Sequence, residues 1–292
     1  MDTLKTFNIS SAASVIAAAA GIKMAKHGSR AITSFCRAVD IAETLGVDVE
    51  CSSEIVKKSI ERAGIGIFNG MSPEVHPYAL GRILSQICFG TTLNIAASLA
   101  NPALPTYGVR GVYAKEMVEP VAEVMREIGY KRAIIVHGLA EDGMTSMDEA
   151  STLGETIIAE VQENGEIKKY SFFPEDLGIT RAEKSQVAPS QSREEEALRL
   201  IAVLSGQEKG ARPDIVCLNT ALILYLMDSS PTIQDGCHKA KEIIASGQAI
   251  EKLKSWVREQ NTDPDKGLKQ LNRLLDMASN RQQLSSKAAV NC

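Results

Sequence analysis

The chain has 292 residues, of which 44% are hydrophobic, 23% charged and 4% aromatic. This composition excludes a disordered chain, because disordered chains are poorer in apolar residues and carry more net charge. The 32 basic and 36 acidic side chains give a net charge of −4, so no global basic field favours nucleic acid or an anionic membrane. The length allows one large domain or two ordinary ones.

The cysteines and the apolar runs indicate the compartment. Six cysteines lie far apart with no CxxC pair, which is typical of free thiols in a reducing compartment. The longest apolar run, residues 12–22, is too short to span a bilayer, and no basic segment of signal-peptide type precedes it. We therefore expect a cytoplasmic protein that does not enter the membrane.

The first elements are two predicted helices with a strand between them. Residues 10–21 form an alanine-rich stretch with serines at its start and Gly21 at its end, which predicts a helix. Residues 23–30 predict a short strand that runs into a polar loop. Residues 39–45 return to helical spacing and end at Gly46.

Strands and helices then alternate, which predicts an α/β fold. Val112-Tyr113 and residues 133–136 are apolar runs of the parallel-strand type, buried on both faces. Residues 115–128 between them have helical spacing, so we expect a right-handed crossover. The further predicted strands are residues 155–161, 166–172 and 214–218. The further predicted helices are residues 195–205, 221–227, 237–246 and 249–258.

A first polar cluster lies at the start of the chain. Residues 2–11, Asp2-Thr3-Leu4-Lys5-Thr6-Phe7-Asn8-Ile9-Ser10-Ser11, end at a predicted helix N-terminus. Free N–H groups and the helix dipole favour phosphate there, and hydroxyls supply donors or a magnesium ligand. The alternative is that these residues only cap the helix.

A second polar cluster is Lys26-His27-Gly28-Ser29-Arg30, followed by Thr33-Ser34. Two cations, an imidazole and several hydroxyls around a glycine suit a polyphosphate. The alternative is a solvated turn in which His27 makes a structural hydrogen bond.

A third polar cluster follows the apolar strand at residues 133–136 and contains His137-Gly138, Asp142-Gly143 and Asp148-Glu149. Ligand sites of open α/β sheets lie beyond the carboxyl ends of strands, and adjacent carboxylates there can hold magnesium. The alternative is that Asp148 and Glu149 begin a helix, where acidic side chains favour the dipole.

These clusters, in this order, resemble the anthranilate phosphoribosyltransferase family, which shares its fold with pyrimidine nucleoside phosphorylases. The resemblance covers residues 2–255. The similar stretches are Lys5-Thr6-Phe7-Asn8-Ile9-Ser10, Lys26-His27-Gly28, Asp40 with Leu45-Gly46, His76-Pro77, Asn94, Asn101-Pro102-Ala103, Gly111-Val112-Tyr113, Val136-His137-Gly138, Asp148-Glu149, Pro174-Glu175-Asp176-Leu177-Gly178 and residues 212–219.

The resemblance implies a large, mixed, mainly parallel sheet flanked by helices. It implies an enzyme that joins phosphoribosyl pyrophosphate (PRPP) to anthranilate and releases pyrophosphate in tryptophan biosynthesis. Mg²⁺ is the implied cofactor, with Ser10, Asp148 and Glu149 as its ligands. Lys26 and His27 are the catalytic candidates. The implied substrate-binding residues are Asp2, Thr6, Asn8, Ile9, Ser10, Ser11, Lys26, His27, Gly28, Ser29, Arg30, Thr33, Ser34 and Arg82.

The chemistry agrees with these residue types. Departure of pyrophosphate leaves an oxocarbenium-like ribosyl centre, so magnesium and Lys26 would stabilise the leaving negative charge. Binding would align the amine with C1 of the ribose, and little acid–base chemistry is needed.

The sequence also departs from the family. The family's Gly-Thr-Gly-Gly-Asp loop is represented by Asp2 alone, so we expect the small N-terminal helical domain to be largely missing. Ser29 occupies the position of an asparagine that contacts anthranilate. The arginine that binds the carboxylate of anthranilate has no clear counterpart, and Arg82 is the candidate substitute. The acceptor site is therefore diverged, and the acceptor is anthranilate or a related aromatic amine.

We expect residues 1–278 to form the α/β domain with remnants of the helical domain, residues 279–292 to be a disordered tail, and the chain to form a homodimer. Two alternatives stay open. The chain is a non-catalytic paralogue that binds nucleotides or nucleic acid, or it is a relative of the nucleoside phosphorylases. Asp148-Glu149 and residues 174–178 favour the transferase over the latter.

Overall fold

The computed structural model describes residues 4–30, 36–72, 74–75, 96 and 99–290, with side chains described as far as residue 283. Its first elements are helix α1 (Ile9–Ala19), strand β1 (Met24–Gly28), helices α2 (Ala38–Thr44) and α3 (Ser53–Arg62), and strand β2 (Ile65–Asn69). The two strands pair in parallel as a separate two-stranded sheet, with Met24 opposite Ile65 and Gly28 opposite Asn69. The two helices and the strand predicted for residues 10–45 are thus confirmed.

The second sheet contains strands β3 (Tyr107–Gly111), β4 (Arg132–Leu139), β5 (Ser146–Met147), β6 (Thr156–Val161) and β7 (Ile167–Phe172). Its order is β3-β4-β6-β7, and β5 pairs with the end of β4. Strands β3 and β4 are parallel and are joined by helix α4 (Val118–Glu127), as predicted. The α/β class and the mixed sheet are confirmed. Parallel pairs are not the majority, because among the described residues two pairings are parallel and three antiparallel.

The remaining helices are α5 (Arg193–Leu204), α6 (Ala211–Leu226), α7 (Ile233–Ala245), α8 (Gln248–Glu259) and α9 (Pro264–Val290). Short 3₁₀ turns lie at Lys115–Met117, Pro174–Leu177 and Lys184–Val187. Within the described part of the chain, no helix combines the length and the apolar character that a bilayer crossing requires.

Helix α1 lies in the core against α6 and α8, and its composition explains how. Ala12, Ala13 and Ala17 are at most 1% exposed, and the fully buried Ile9 and Ile16 lie among them. Small side chains let neighbouring backbones approach closely, while the isoleucines fill the remaining volume. The helix is thereby fixed, and its first turn carries Ser10 to the surface of a cavity.

A buried glutamine satisfies the backbone of β2. Gln260 Oε1 accepts a hydrogen bond from Ile67 N, and Gln260 Nε2 donates to Ile67 O, both at 2.9 Å. Trp256 Nε1 donates to the same Oε1 at 2.9 Å. Buried N–H and C=O groups need partners, so this carboxamide replaces part of a neighbouring strand.

Two of the predicted strands are wrong. Residues 214–218 belong to helix α6, because a short apolar run with Ile215 and Val216 does not distinguish a buried strand from a buried helix. Pro213 lies in the first turn of this helix, where its missing N–H costs nothing. Val112-Tyr113 follows the strand rather than forming it, although Val112 N still donates to Val136 O at 2.9 Å.

Helix α9 extends to Val290, so residues 279–290, for which the sequence predicts disorder, continue a helix. The spacing of its buried side chains, Leu271, Leu274 and Ala278, is helical. The domain boundary at residue 278 stays a prediction.

Two glycines seat the segment that carries Asp148 and Glu149. A Cβ atom on Gly111, at the end of β3, would collide with the carbonyl oxygen of Asp148. A Cβ atom on Gly138, near the end of β4, would collide with the carbonyl oxygen of Glu149. The backbone of the acidic pair thus lies directly on the ends of the two parallel strands.

We predict that Gly111→Ala destabilises the protein by about 1–3 kcal/mol, as overpacking of a close contact does. The matched control is Gly28→Ala, whose Cβ would meet Ala38 Cβ at 3.5 Å and Val39 Cγ2 at 3.7 Å, which is ordinary contact. Urea unfolding measures both variants. Equal stability of the two would show that the Asp148 segment does not need the glycine.

Candidate functional site

A cavity of about 490 Å³ lies between the two sheets. Its walls come from β1, from β3, from the first turn of α1 and from the segment that holds Asp148 and Glu149. Strands β1 and β3, which belong to different sheets, therefore both border this cavity. Five of the predicted catalytic, substrate-binding and metal-binding residues line it: Ser10, Lys26, His27, Asp148 and Glu149.

Lys26 connects β1 to helix α1. Its Nζ donates hydrogen bonds to Ser10 O and to Ser14 Oγ, each at 3.1 Å. Burial lowers the pKa of the Lys26 ammonium to about 8, and the negative charge of Glu149 opposes this shift. The cation is thus positioned near a carboxylate in a site where water stabilises it poorly.

Asp148 and Glu149 are fixed on both sides along the chain. Before them, Met147 pairs with Gly138 as part of β5. After them, Ala150 is fully buried, and its N–H and C=O both bond to a side chain of α6. The alternative, that Asp148 and Glu149 begin a helix, is wrong, because this segment follows a strand and no helix begins there.

The donor set fits a hard divalent cation. Ser10, Asp148 and Glu149 line one cavity, and the side chains of all three carry oxygen atoms that can bind such a cation. No group of three or more His, Cys, Asp or Glu side chains suited to a metal occurs among the described residues. Mg²⁺ is bound through one or two carboxylates together with phosphates of a substrate.

Arg110 is a cation of the cavity that the sequence analysis missed. It lies on β3 and lines the cavity beside the acidic pair. Burial lowers the pKa of its guanidinium, and the charge of Asp148 opposes this shift. The detectable signal is a charged residue inside a strand, one position before the glycine at its end. The apolar pair Val112-Tyr113 predicts the strand after that glycine, so Arg110 fell outside the predicted element.

The other described residues of the first cluster do not line the cavity. Asn8 donates from its backbone N and its Nδ2 to Glu196 Oε1, at 2.7 Å and 3.1 Å. Ile9 and Ser11 are buried, and Thr6 does not line the cavity. The main role of Asn8 in this structure is to join α1 to α5, which keeps the first turn of α1 in place.

Arg30 is paired outside the cavity. Its guanidinium donates to both carboxylate oxygens of Glu43, at 2.6 Å and 3.0 Å, and to Glu50 at 2.6 Å. The hydrogen bonds to Glu43 and Glu50 raise the pKa of Arg30. Gly28 and Ser29 precede it and do not line the cavity. The structure therefore does not bring these three residues to Lys26 and the acidic pair.

Of the two histidines in the polar clusters, His27 lines the cavity and His137 does not. His27 lines the cavity next to Gly70, on which a Cβ atom would stand 2.9 Å from His27 Nε2. His137 is buried, and its Nδ1 lies 2.9 Å from Val112 O, a structural hydrogen bond between two strand ends.

Asp142, in the third polar cluster, is on the surface, where Lys184 Nζ donates to it at 2.6 Å.

Four predicted substrate-binding residues, Asp2, Thr33, Ser34 and Arg82, lie outside the described residues. Their roles stay predictions.

Comparison with known proteins gives consistent matches. The model of the glycosyl transferase family, a/b domain, matches residues 2–250. The anthranilate phosphoribosyltransferase of Methanococcoides burtonii is 38% identical over 259 residues, which are 88% of this chain and 70% of the relative. That of Persephonella marina is 36% identical over 261 residues, 87% of this chain and 74% of the relative.

Solved structures agree. The anthranilate phosphoribosyltransferase of Thermus thermophilus superposes with a TM-score of 0.78 at 32% identity, over 89% of this chain and 75% of that chain. The enzyme of Saccharomyces cerevisiae in complex with PRPP and Mg superposes with a TM-score of 0.74 at 27% identity, over 88% of this chain and 70% of that chain.

We predict that the pKa of Lys26, followed by competitive acetylation and mass spectrometry, is about 8 in the folded protein, against an ordinary value of 10.5. Between these two pH values the unfolded chain binds more protons than the folded one, so the contribution of Lys26 to stability rises with pH. Glu149→Gln should lower the pKa further, because the charge that raises it is lost. Asp142→Asn is the control and should leave the pKa of Lys26 unchanged; an unchanged value in Glu149→Gln would contradict the site geometry.

Proposed function

The chain belongs to the anthranilate phosphoribosyltransferase family, and from this premise we propose that it transfers the phosphoribosyl group of PRPP to anthranilate or a related aromatic amine, with release of pyrophosphate and a requirement for Mg²⁺. The observation that carries the proposal is the convergence of Lys26, Ser10 and the pair Asp148 and Glu149 on one cavity. These residues come from α1, β1 and the end of the second sheet. A cation next to oxygen ligands for a metal suits a polyphosphate.

The reaction exchanges one bond at C1 of the ribose. The bond from C1 to the pyrophosphate oxygen breaks, and its electron pair leaves with pyrophosphate. The amine nitrogen forms the new bond to C1 and then releases one proton to water. Negative charge therefore grows on the leaving group while positive charge grows on the sugar, so the site must stabilise separated charges.

Lys26 supplies positive charge to the leaving group from β1, and Arg110 supplies it from β3. Both cations are partly removed from water, and their electrostatic interactions are stronger there than in bulk solvent. Ser10, Asp148 and Glu149 would hold Mg²⁺, which when bound neutralises phosphate oxygens. Asp148 and Glu149 are then ligands rather than proton carriers.

The proposed acceptor is anthranilate or a related aromatic amine. Arg82, the candidate for binding the acceptor carboxylate, lies outside the described residues, and anthranilate and related aromatic amines both stay candidates. A homodimer and a cytoplasmic location also stay predictions.

A non-catalytic nucleotide-binding module is the less favoured function. The relatives from Methanococcoides burtonii and Persephonella marina carry the name of an enzyme, which favours the transferase. The net charge of −4 gives no support to nucleic acid as the ligand.

The test is turnover by the purified protein. With PRPP, Mg²⁺ and anthranilate we expect pyrophosphate release and a fluorescent phosphoribosylated product. The double variant Asp148→Asn, Glu149→Gln should lose turnover and Mg²⁺-dependent PRPP binding with an unchanged circular dichroism spectrum. Turnover with another aromatic amine alone would replace anthranilate as the acceptor. PRPP binding without turnover of any amine would favour the binding module.

A second prediction compares the two cations of the second polar cluster. Lys26→Met should weaken PRPP binding by about 10- to 100-fold, because a charge-assisted hydrogen bond contributes about 1.5–3 kcal/mol. Arg30→Met should change it less than about twofold, because Arg30 binds Glu43 and Glu50 and makes no contact with the cavity. Calorimetry at saturating Mg²⁺ measures both. An equal loss in Arg30→Met would mean that Arg30 leaves its carboxylates to bind phosphate.

A further inference from the structure

Asn219 holds the peptide that follows the acidic pair. Its Oδ1 accepts a hydrogen bond from Ala150 N at 2.9 Å, and its Nδ2 donates to Ala150 O at 3.0 Å. The second Nδ2 hydrogen goes to Ile215 O, at 2.9 Å, one turn earlier in α6. Asn219 is 7% exposed. The Asn219 side chain on helix α6 thus binds both the N–H and the C=O of Ala150, which lies in a segment without regular structure.

The hydrogen bonds of the Asn219 carboxamide indicate that it does not donate to a ligand. It borders the cavity, but both Nδ2 hydrogens are already donated to backbone carbonyls. An amide nitrogen has two hydrogens, so none remains for a substrate. Asn219 therefore has no hydrogen to donate to a substrate phosphate, and its contact with the acidic segment is to Ala150, whose neighbour is Glu149.

The other contacts of the segment would survive without Asn219. Ser151 N donates to Thr156 Oγ1 at 2.9 Å, and Ser151 Oγ donates to Leu139 O at 2.7 Å. Strand β5 remains paired with β4 on the other side. Loss of Asn219 should then loosen the acidic pair locally and leave the sheet intact.

We propose that Asn219 is a positioning residue that fixes where Asp148 and Glu149 present their carboxylates to the magnesium ion of a magnesium–diphosphate substrate. This inference rests on the proposed function. Loss of a residue that holds a metal ligand in place typically weakens metal binding by about 10- to 100-fold. The reason is that a loosely held carboxylate must be ordered when the metal binds. The Asn219 carboxamide does this for the backbone of the pair rather than for a carboxylate itself.

The test is a calorimetric titration of PRPP into the full chain at a series of fixed Mg²⁺ concentrations, for wild type, Asn219→Leu and Asn219→Ala. The dependence of the PRPP affinity on Mg²⁺ concentration gives the Kd for Mg²⁺. We expect the Kd for Mg²⁺ to rise by about 10- to 100-fold in both variants. The matched control is Thr220→Val. Thr220 is fully buried beside Asn219, and its hydroxyl donates to Val216 O at 2.8 Å within the helix rather than to the acidic segment. Its Kd should change less than about twofold while its melting temperature falls, as loss of a buried hydrogen bond requires.

The outcomes separate positioning from a merely structural role. The inference is supported if folded Asn219→Leu binds Mg²⁺ more weakly than wild type. Its turnover should then need a higher Mg²⁺ concentration to reach half its maximum, while its KM for the amine is unchanged. A melting temperature lowered as in Thr220→Val with wild-type Mg²⁺ affinity would overturn it. Failure of both Asn219 variants to fold would overturn it too, since Asn219 would then determine the fold. Absence of Mg²⁺–PRPP binding by wild type would instead refute the proposed function.

Discussion

The contact between the acidic segment and the ends of β3 and β4 is backbone against backbone, and the geometry of the cavity depends on it. Gly111 and Gly138 have no Cβ atoms, so the carbonyl groups of Asp148 and Glu149 lie where side chains would otherwise stand. With larger residues there, the segment would move outward and separate its carboxylates from Lys26. The two glycines thus act on the electrostatics of the site without carrying a charge.

Two buried carboxamides solve one physical problem in different parts of the molecule. Gln260 pairs with the N–H and C=O of Ile67 at the edge of β2, and Asn219 pairs with those of Ala150. Both backbones are buried and lack a neighbouring strand at that point, which leaves polar groups that need partners. A carboxamide group places a C=O acceptor next to an N–H donor, as a peptide group does. Gln260 and Asn219 therefore each form the pair of hydrogen bonds that a neighbouring strand would otherwise form.

The parts of this structure that the sequence predicts are those decided locally. The alanine run of α1 and the apolar run of β4 carry clear periodicity or length, and both elements were predicted correctly. The strand predicted for residues 214–218 is wrong because Ile215 and Val216 suit a buried strand and a buried helix equally. For the site, residue type and order predict Lys26 and Asp148, and both line the cavity. The pairing of Arg30 with Glu43 and Glu50 was not, since contacts between side chains 13 and 20 positions apart follow from packing and leave no local pattern.

The position of the cavity between separate sheets has a mechanical consequence. Asn101 Nδ2 donates to Ala25 O at 2.9 Å and so links the segment before β3 to β1, at the side of the cavity. A ligand that contacts Lys26 on β1 and Glu149 beyond β5 would add a second link across the gap. Its binding energy would resist opening of the two sheets as well as dissociation. Amide hydrogens of β1 and β3 should then exchange with solvent together and more slowly in the complex, because the ligand makes the two sheets one cooperative unit.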